Sequence, residues 1–247
     1  SVNLSDQIYT RTQMIELLAR KYQYKEYLEI GCDRNQTFHT MERLKFTKAL
    51  CVDPNKGGTL RMTSDDYFKM NDLKLLKGDN SHDMFDLIFI DGLHEEHQAY
   101  IDVLNSLKYL KPGGTIVMHD LYPIAYEYQT YPMQTPPMWN GDTWKAAVKL
   151  RLHHDIEIVV GDFDHGVGII RRRDNQHRLP VEWERRLTRP PFSYLNTHKY
   201  VGVGNMMTNE VIDSMDEKML REFLKEEAKH SLTYADLRDN ANVLLRL

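Results

Sequence analysis

The chain has 247 residues, 41% of them hydrophobic, and a formal net charge of -4. That length suits one α/β domain with an appendage, or two small domains, with enough apolar residues for a substantial core. The acidic balance weighs against a nucleic-acid protein, whose footprint is basic, and no apolar run nears the roughly 20 residues of a membrane span.

The N-terminus carries no signal-like hydrophobic segment. Cys32 and Cys51 imply no disulfide framework and read as core thiols, so a soluble cytoplasmic protein in a reducing compartment is expected.

In chain order, residues 5–22 carry an apolar stripe through Ile8, Met14, Ile15, Leu17 and Leu18, which predicts a helix capped by Ser5 or Asp6. Tyr27–Gly31 is short, apolar and stopped by glycine, a first strand; a helix over 37–44 follows. Ala49–Pro54 is the second strand, ended by Asp53 and a proline. Arg61–Phe68 reads as a short third strand and turn before a helix over 69–76.

Phe85–Ile90 is an apolar strand closed by Asp91, and Glu95–Leu110 a helix stopped by Lys111-Pro112-Gly113-Gly114. Thr115–Met118 is the next strand, closed by His119-Asp120. Residues 121–141, with Pro123, Pro132, Pro136 and Pro137, break the pattern and read as an active-site lid. A helix over 142–152, which Asp142 can cap, precedes two strands, 156–160 and 167–170. The link between them is short enough for an antiparallel hairpin. Arg171-Arg172-Arg173 then reads as solvated surface, with an anionic-substrate or partner patch as the sharper alternative. Two amphipathic helices, over 213–228 and 233–245, would cap the substrate cleft or form a dimer interface.

Strands alternating with helices mean βαβ units, hence an α/β fold with a mostly parallel sheet covered on both faces. Ligands then lie outside the carboxyl ends of the strands, where Asp91, His119 and Asp120 would point into one cleft. Gly31 at the first strand-to-helix turn lets a ligand approach the backbone, and Asp53 is placed to bind ribose hydroxyls. Nicotinamide dinucleotides and S-adenosylmethionine both use this layout. A pyrophosphate needs more glycines than Gly31 alone, and Asp33 would repel it. Acidic Glu29 and Asp33 suit a cofactor carrying an ammonium and a sulfonium.

The strings LEIGCDRNQTF, VDPNKGG, RMTSDDYF, FDLIFIDGLHEEHQAYIDVLNSLKYLKPGGTIVMHD and WNGDTWKAAVKLR resemble the class I S-adenosylmethionine-dependent methyltransferases. Most similar is the bacterial sugar and natural-product O-methyltransferase group with a metal-site motif. The resemblance spans residues 5–172 and implies a Rossmann-like, seven-stranded domain over 1–172, with 173–247 as a capping or oligomerisation extension.

It assigns Glu29, Gly31, Asp53, Ser64, Asp65 and Asp91 to S-adenosylmethionine. Asp91, His119 and Asp120 would hold a divalent metal, Mg²⁺ or, with a histidine present, Mn²⁺, Fe²⁺ or Zn²⁺. Asp91, His94 and His119 are the candidate catalytic residues, His94 or His119 as base.

The implied reaction is methyl transfer to a hydroxyl of a small polar acceptor, by a cytoplasmic enzyme that is a candidate homo-oligomer and is partnered by neither membrane nor nucleic acid. A nicotinamide-dependent oxidoreductase, an RNA methyltransferase favoured only by the arginines, and a non-catalytic methyltransferase-like scaffold are the rivals.

Overall fold

The computed structural model describes residues 10–121, 123, 128, 132–133, 139–150, 153, 155–161 and 163–177. The first turn expected of the N-terminal helix, most of the lid over 121–141 and everything after 177 lie outside these.

The strands are β1 (Glu26–Ile30), β2 (Lys48–Val52), β3 (Phe85–Ile90), β4 (Leu110–Met118), β5 (Ile156–Gly161) and β6 (Val167–Arg172). They form one sheet in the order β2-β1-β3-β4-β6-β5. The first four run parallel, and β6 is antiparallel to both β4 and β5. The helices are α1 (Arg11–Lys21), α2 (Gln36–Glu42), α3 (Ser64–Leu76), α4 (Glu96–Lys108) and α5 (Trp144–Leu150).

Both faces of the sheet are covered, as its unbroken apolar strands require. Successive side chains alternate between faces: Tyr27, Leu87 and Phe89 join a core with Met14, Leu17 and Phe38 of α1 and α2. Leu28, Ile88 and Ile116 join the other, with Tyr67, Val103 and Leu150 of α3, α4 and α5.

The helix caps differ from expectation. Thr10 caps α1, accepting from the Gln13 amide while the Gln13 side chain accepts from the Thr10 amide. The expected third strand is instead the start of α3: Thr63 caps it, and Asp65 and Asp66 favour its dipole. Just ahead of that segment, Leu60 forms an isolated bridge with Val52. The sheet has six strands among the described residues. Glu95 caps α4, accepting from the His97 and Gln98 amides, and Asp142 Oδ1 accepts from the Glu96 amide of the same first turn at 2.7 Å.

Two further expectations are corrected. Arg171 is 0% exposed; its Nε donates to Thr115 Oγ1 at 3.1 Å and its guanidinium lies 4.8 Å from the centre of the Tyr22 ring. An arginine stacked on an aromatic face and hydrogen-bonded can be buried without penalty enough to expel it. Cys32 and Cys51 are joined as a disulfide across the ends of β1 and β2 rather than standing as separate thiols, with Cα atoms 6.1 Å apart.

Candidate active site

The carboxyl ends of the parallel strands are stitched together one residue beyond each strand. Gly31 N donates to Val52 O at 2.9 Å, Asp91 N to Ile30 O at 2.8 Å and His119 N to Ile90 O at 3.1 Å. This ladder brings residues far apart in sequence to the rim of one cavity of about 770 Å³. Every residue expected at the site lines it: Glu29, Gly31, Asp53, Ser64 and Asp65 at one end, Asp91, His94, His119 and Asp120 at the other.

At the first end, Gly31 has φ +86°, and a Cβ there would lie 2.1 Å from the Asp91 carbonyl oxygen. Only glycine fits where the two chain crossings touch. The Asp53 carboxylate accepts from four backbone amides: Cys32 (2.9 Å), Asp33 (3.2 Å), Asn55 (2.7 Å) and Lys56 (2.9 Å). Burial would raise its pKa, but these four donors outweigh burial and hold it below the ordinary value.

Glu29 is 2% exposed. Burial pushes its pKa up to about 8 despite the hydrogen bond from the Tyr27 hydroxyl at 2.7 Å. Beside α3, Gln98 Nε2 donates to Asp65 Oδ1 and Asp102 Oδ1, each at 3.1 Å. Asp102, buried on α4, is pushed up to about 6 by burial. Sequence reading passed over both Gln98 and Asp102, because each looks like an ordinary polar position on a helix.

The other end is a cluster of charges. Asp91 and Asp120 face His94 and His119 across short gaps. His94 Nε2 lies 3.4 Å from Asp91 Oδ1 and 3.0 Å from Asp120 Oδ2. His119 Nδ1 lies 3.3 Å and 3.2 Å from the same two atoms.

The far nitrogen of each ring faces a main-chain carbonyl: His94 Nδ1 that of Trp139 at 3.0 Å, His119 Nε2 that of Asp164 at 2.6 Å. A carbonyl only accepts, so those nitrogens carry hydrogen, and the nitrogens facing the carboxylates are the ones free to bind a proton or a cation.

Burial would lower the pKa of His94, but hydrogen bonds and charge from Asp120 and Asp91 raise it to about 10. Asp91 is held well below the carboxylate range by His119 and His94, against the upward push of burial.

Asp120 adopts φ +63°, a left-handed conformation that an aspartate tolerates at a local cost. Its Oδ1 accepts from Asn140 Nδ2 at 2.5 Å. Its buried Oδ2 receives no well-formed hydrogen bond, despite the two imidazoles nearby. Asp91, His94 and Asp120 can each offer one donor atom, all within 4.8 Å of one another. Two carboxylate oxygens, one of them orphaned, and one imidazole fit a divalent cation of the Mg²⁺ or Mn²⁺ kind.

Sequence reading missed Arg11 and Asp164. The Arg11 amide donates to Asp164 Oδ2 at 2.7 Å, its Nη1 to Asp164 Oδ1 at 3.1 Å, and its Nε lies 3.5 Å from Asp91 Oδ2. These contacts tie α1 to the turn between β5 and β6 across 153 residues of sequence, so no local pattern announces them.

A parallel half-sheet closed by an antiparallel hairpin, with its polar residues gathered at the carboxyl ends, is a Rossmann-like arrangement. Residues 28–121 match the family model of a methyltransferase domain. No curated protein matches the chain.

Solved structures with a similar chain path include the S-adenosylhomocysteine-bound methyltransferase PaMTH1 of Podospora anserina, at 18% identity and TM-score 0.46, covering 66% of this chain and 78% of that one. Another is the O-methyltransferase TomG of Streptomyces achromogenes, at 15% identity and TM-score 0.45, covering 66% and 79%. At such identities the activity of each belongs to that protein. No helix among the described residues is long and apolar enough to cross a membrane.

Proposed function

We propose that the protein transfers the methyl group of S-adenosylmethionine to a hydroxyl of a small polar acceptor, such as a sugar or a natural product, with a divalent cation at Asp91, His94 and Asp120. One observation carries this reading. Two carboxylates and an imidazole converge at the ends of β3 and β4, and a carbonyl fixes the imidazole so that its other nitrogen faces them.

The cofactor end suits S-adenosylmethionine. Gly31 leaves room for close approach, Asp53 is pinned to meet ribose hydroxyls, and Ser64, Asp65 and Asp102 present acceptors to an exocyclic amine of adenine. Glu29 sits where the methionine end would lie, and an ammonium there would draw its carboxyl towards the ionised form. A bound cation would lower the pKa of an acceptor hydroxyl. The chain's own part is to hold acceptor and cofactor in line, which supplies much of the rate.

His119, expected as a metal ligand, lies beside the same carboxylates, and we assign it the orienting of Asp91 and Asp120. The same reading places the enzyme in the cytoplasm and gives it a free small molecule rather than nucleic acid as partner. A thiol titration of freshly isolated protein tests the compartment, because a persistent Cys32–Cys51 disulfide would speak for an oxidising one.

The deciding experiment is calorimetric titration with S-adenosylhomocysteine, repeated with NADH and with Mg²⁺ or Mn²⁺ chelated and restored. Micromolar binding of the thioether without an NADH response is expected. NADH binding in its place would turn the reading to an oxidoreductase, and binding of neither to a scaffold.

A further inference from the structure

Methyl transfer to a hydroxyl needs somewhere for its proton to go, and the His94 and His119 nitrogens that could take one already face Asp91 and Asp120, where the cation is proposed. Each has one nitrogen on a carbonyl and the other on the Asp91 and Asp120 carboxylates. A third histidine lines the same cavity: His165, in the turn between β5 and β6. Resting on the methyltransferase reading above, we propose that His165 is the catalytic base that takes the acceptor's proton.

Three observations support it. The His165 Nδ1 is shielded from water and has no hydrogen-bond partner, a deficit of about 1–3 kcal/mol that turning the ring towards a ligand in the cavity it lines would relieve. The backbone holding it is costly too: Asp164 and His165 sit at φ +46° and +62°, a conformation that turns normally give to glycine or asparagine.

That turn is anchored, not loose. Arg11 grips Asp164, and Leu121 N donates to Gly166 O at 3.2 Å. The anchoring sets His165 edge-on to His119, with ring centroids 6.3 Å apart. The hairpin thus carries a histidine back to the strand ends where the acceptor must sit.

In the proposed step the hydroxyl proton passes to the unprotonated nitrogen of His165. The acceptor oxygen forms its bond to the methyl carbon as the carbon–sulfur bond breaks, the neutral thioether leaves, and the imidazolium returns its proton to water. No other reactant is needed.

The test begins with diethyl pyrocarbonate on the protein saturated with S-adenosylhomocysteine and Mg²⁺, read by peptide mass spectrometry. His165 is expected to be carbethoxylated well before His94 and His119. A protected His165 would overturn the proposal, because its lone pair would then be unavailable.

The second arm compares His165→Gln with wild type for tritium transfer from labelled S-adenosylmethionine to those members of a glycoside and catechol panel that the wild type methylates. A loss of about 100-fold or more in turnover is expected, with S-adenosylhomocysteine affinity within about twofold of wild type. Undiminished turnover would overturn the proposal, whereas lost thioether binding by the wild type would instead sink the methyltransferase reading.

Discussion

At the β1–β2 end of the cavity, polar side chains are held by main-chain amides close by in sequence; the Asp53 carboxylate reaches back only 21 residues to Cys32. At the β3–β4 end the polar side chains hold one another, and the ties span 45 residues from His94 to Trp139 and 153 from Arg11 to Asp164. The first end is rigid because the backbone makes it so. The second is a set of opposed charges whose balance depends on what binds there. A site built on amides needs no partner to keep its shape, whereas clustered carboxylates and imidazoles exchange protons for cations.

If that contrast is right, substitutions at the two ends should separate cleanly. Asp120→Asn should have the largest effect on chemistry. It removes one of the proposed cation donors and should weaken Mn²⁺ binding, counted by electron paramagnetic resonance, by about 100-fold or more. Binding of S-adenosylhomocysteine should change little, and a parallel loss of thioether affinity would mean that the two ends are not independent.

Gly31→Ala tests the other end. The added methyl meets the Asp91 carbonyl, so stability should fall by about 2–4 kcal/mol through strain at positive φ and forced displacement. Thioether binding should go with it, as chemical denaturation and calorimetry would report.

The charged end should also respond to pH, and with a definite sign. The folded pKa of His94 is raised from an ordinary 6.5 to about 10. The native state therefore holds that proton more tightly than the unfolded chain. Its contribution is fully present below about pH 6.5 and is lost as pH rises towards 10. Denaturant midpoints of chelated protein should fall across that window, and added Mg²⁺ should flatten the decline by standing in for the proton. A midpoint that rises with pH would contradict the cluster.

The smallest effect expected is that of Arg11→Gln. It leaves the half-buried Asp164 without its cation and should cost about 1–3 kcal/mol. Thioether affinity should stay within about twofold of wild type, because Arg11 anchors the hairpin rather than the β1–β2 end.

Much of this was legible in the chain itself. Apolar runs of four to six residues ended by Gly31, Asp53, Asp91 and His119 mark strand ends, since a strand buried on both faces reads as a near-continuous hydrophobic run. From that pattern follow the parallel sheet, the cleft and the residues lining it. The start of α3 was misread because residues 61–68 are locally ambiguous, and the Thr63 cap with its two following acids outweighed the β-prone residues around it.

Arg171 was misread for a different reason: nothing in an arginine run tells which member finds an aromatic face and a buried hydroxyl. Asp142 could be recognised as a capping residue, but only the folded chain shows that it accepts from the Glu96 amide of α4.

The sequence by itself determined the fold class, the methyltransferase resemblance and the ends of the strands, because those depend on local periodicity and on where polar residues interrupt apolar runs. Only the tertiary structure decided which nitrogen of each histidine is free, that Arg11 and Asp164 close the site, and that His165 reaches the cavity. Those facts depend on contacts between segments that fold far apart along the chain, and such contacts leave no period or spacing to read.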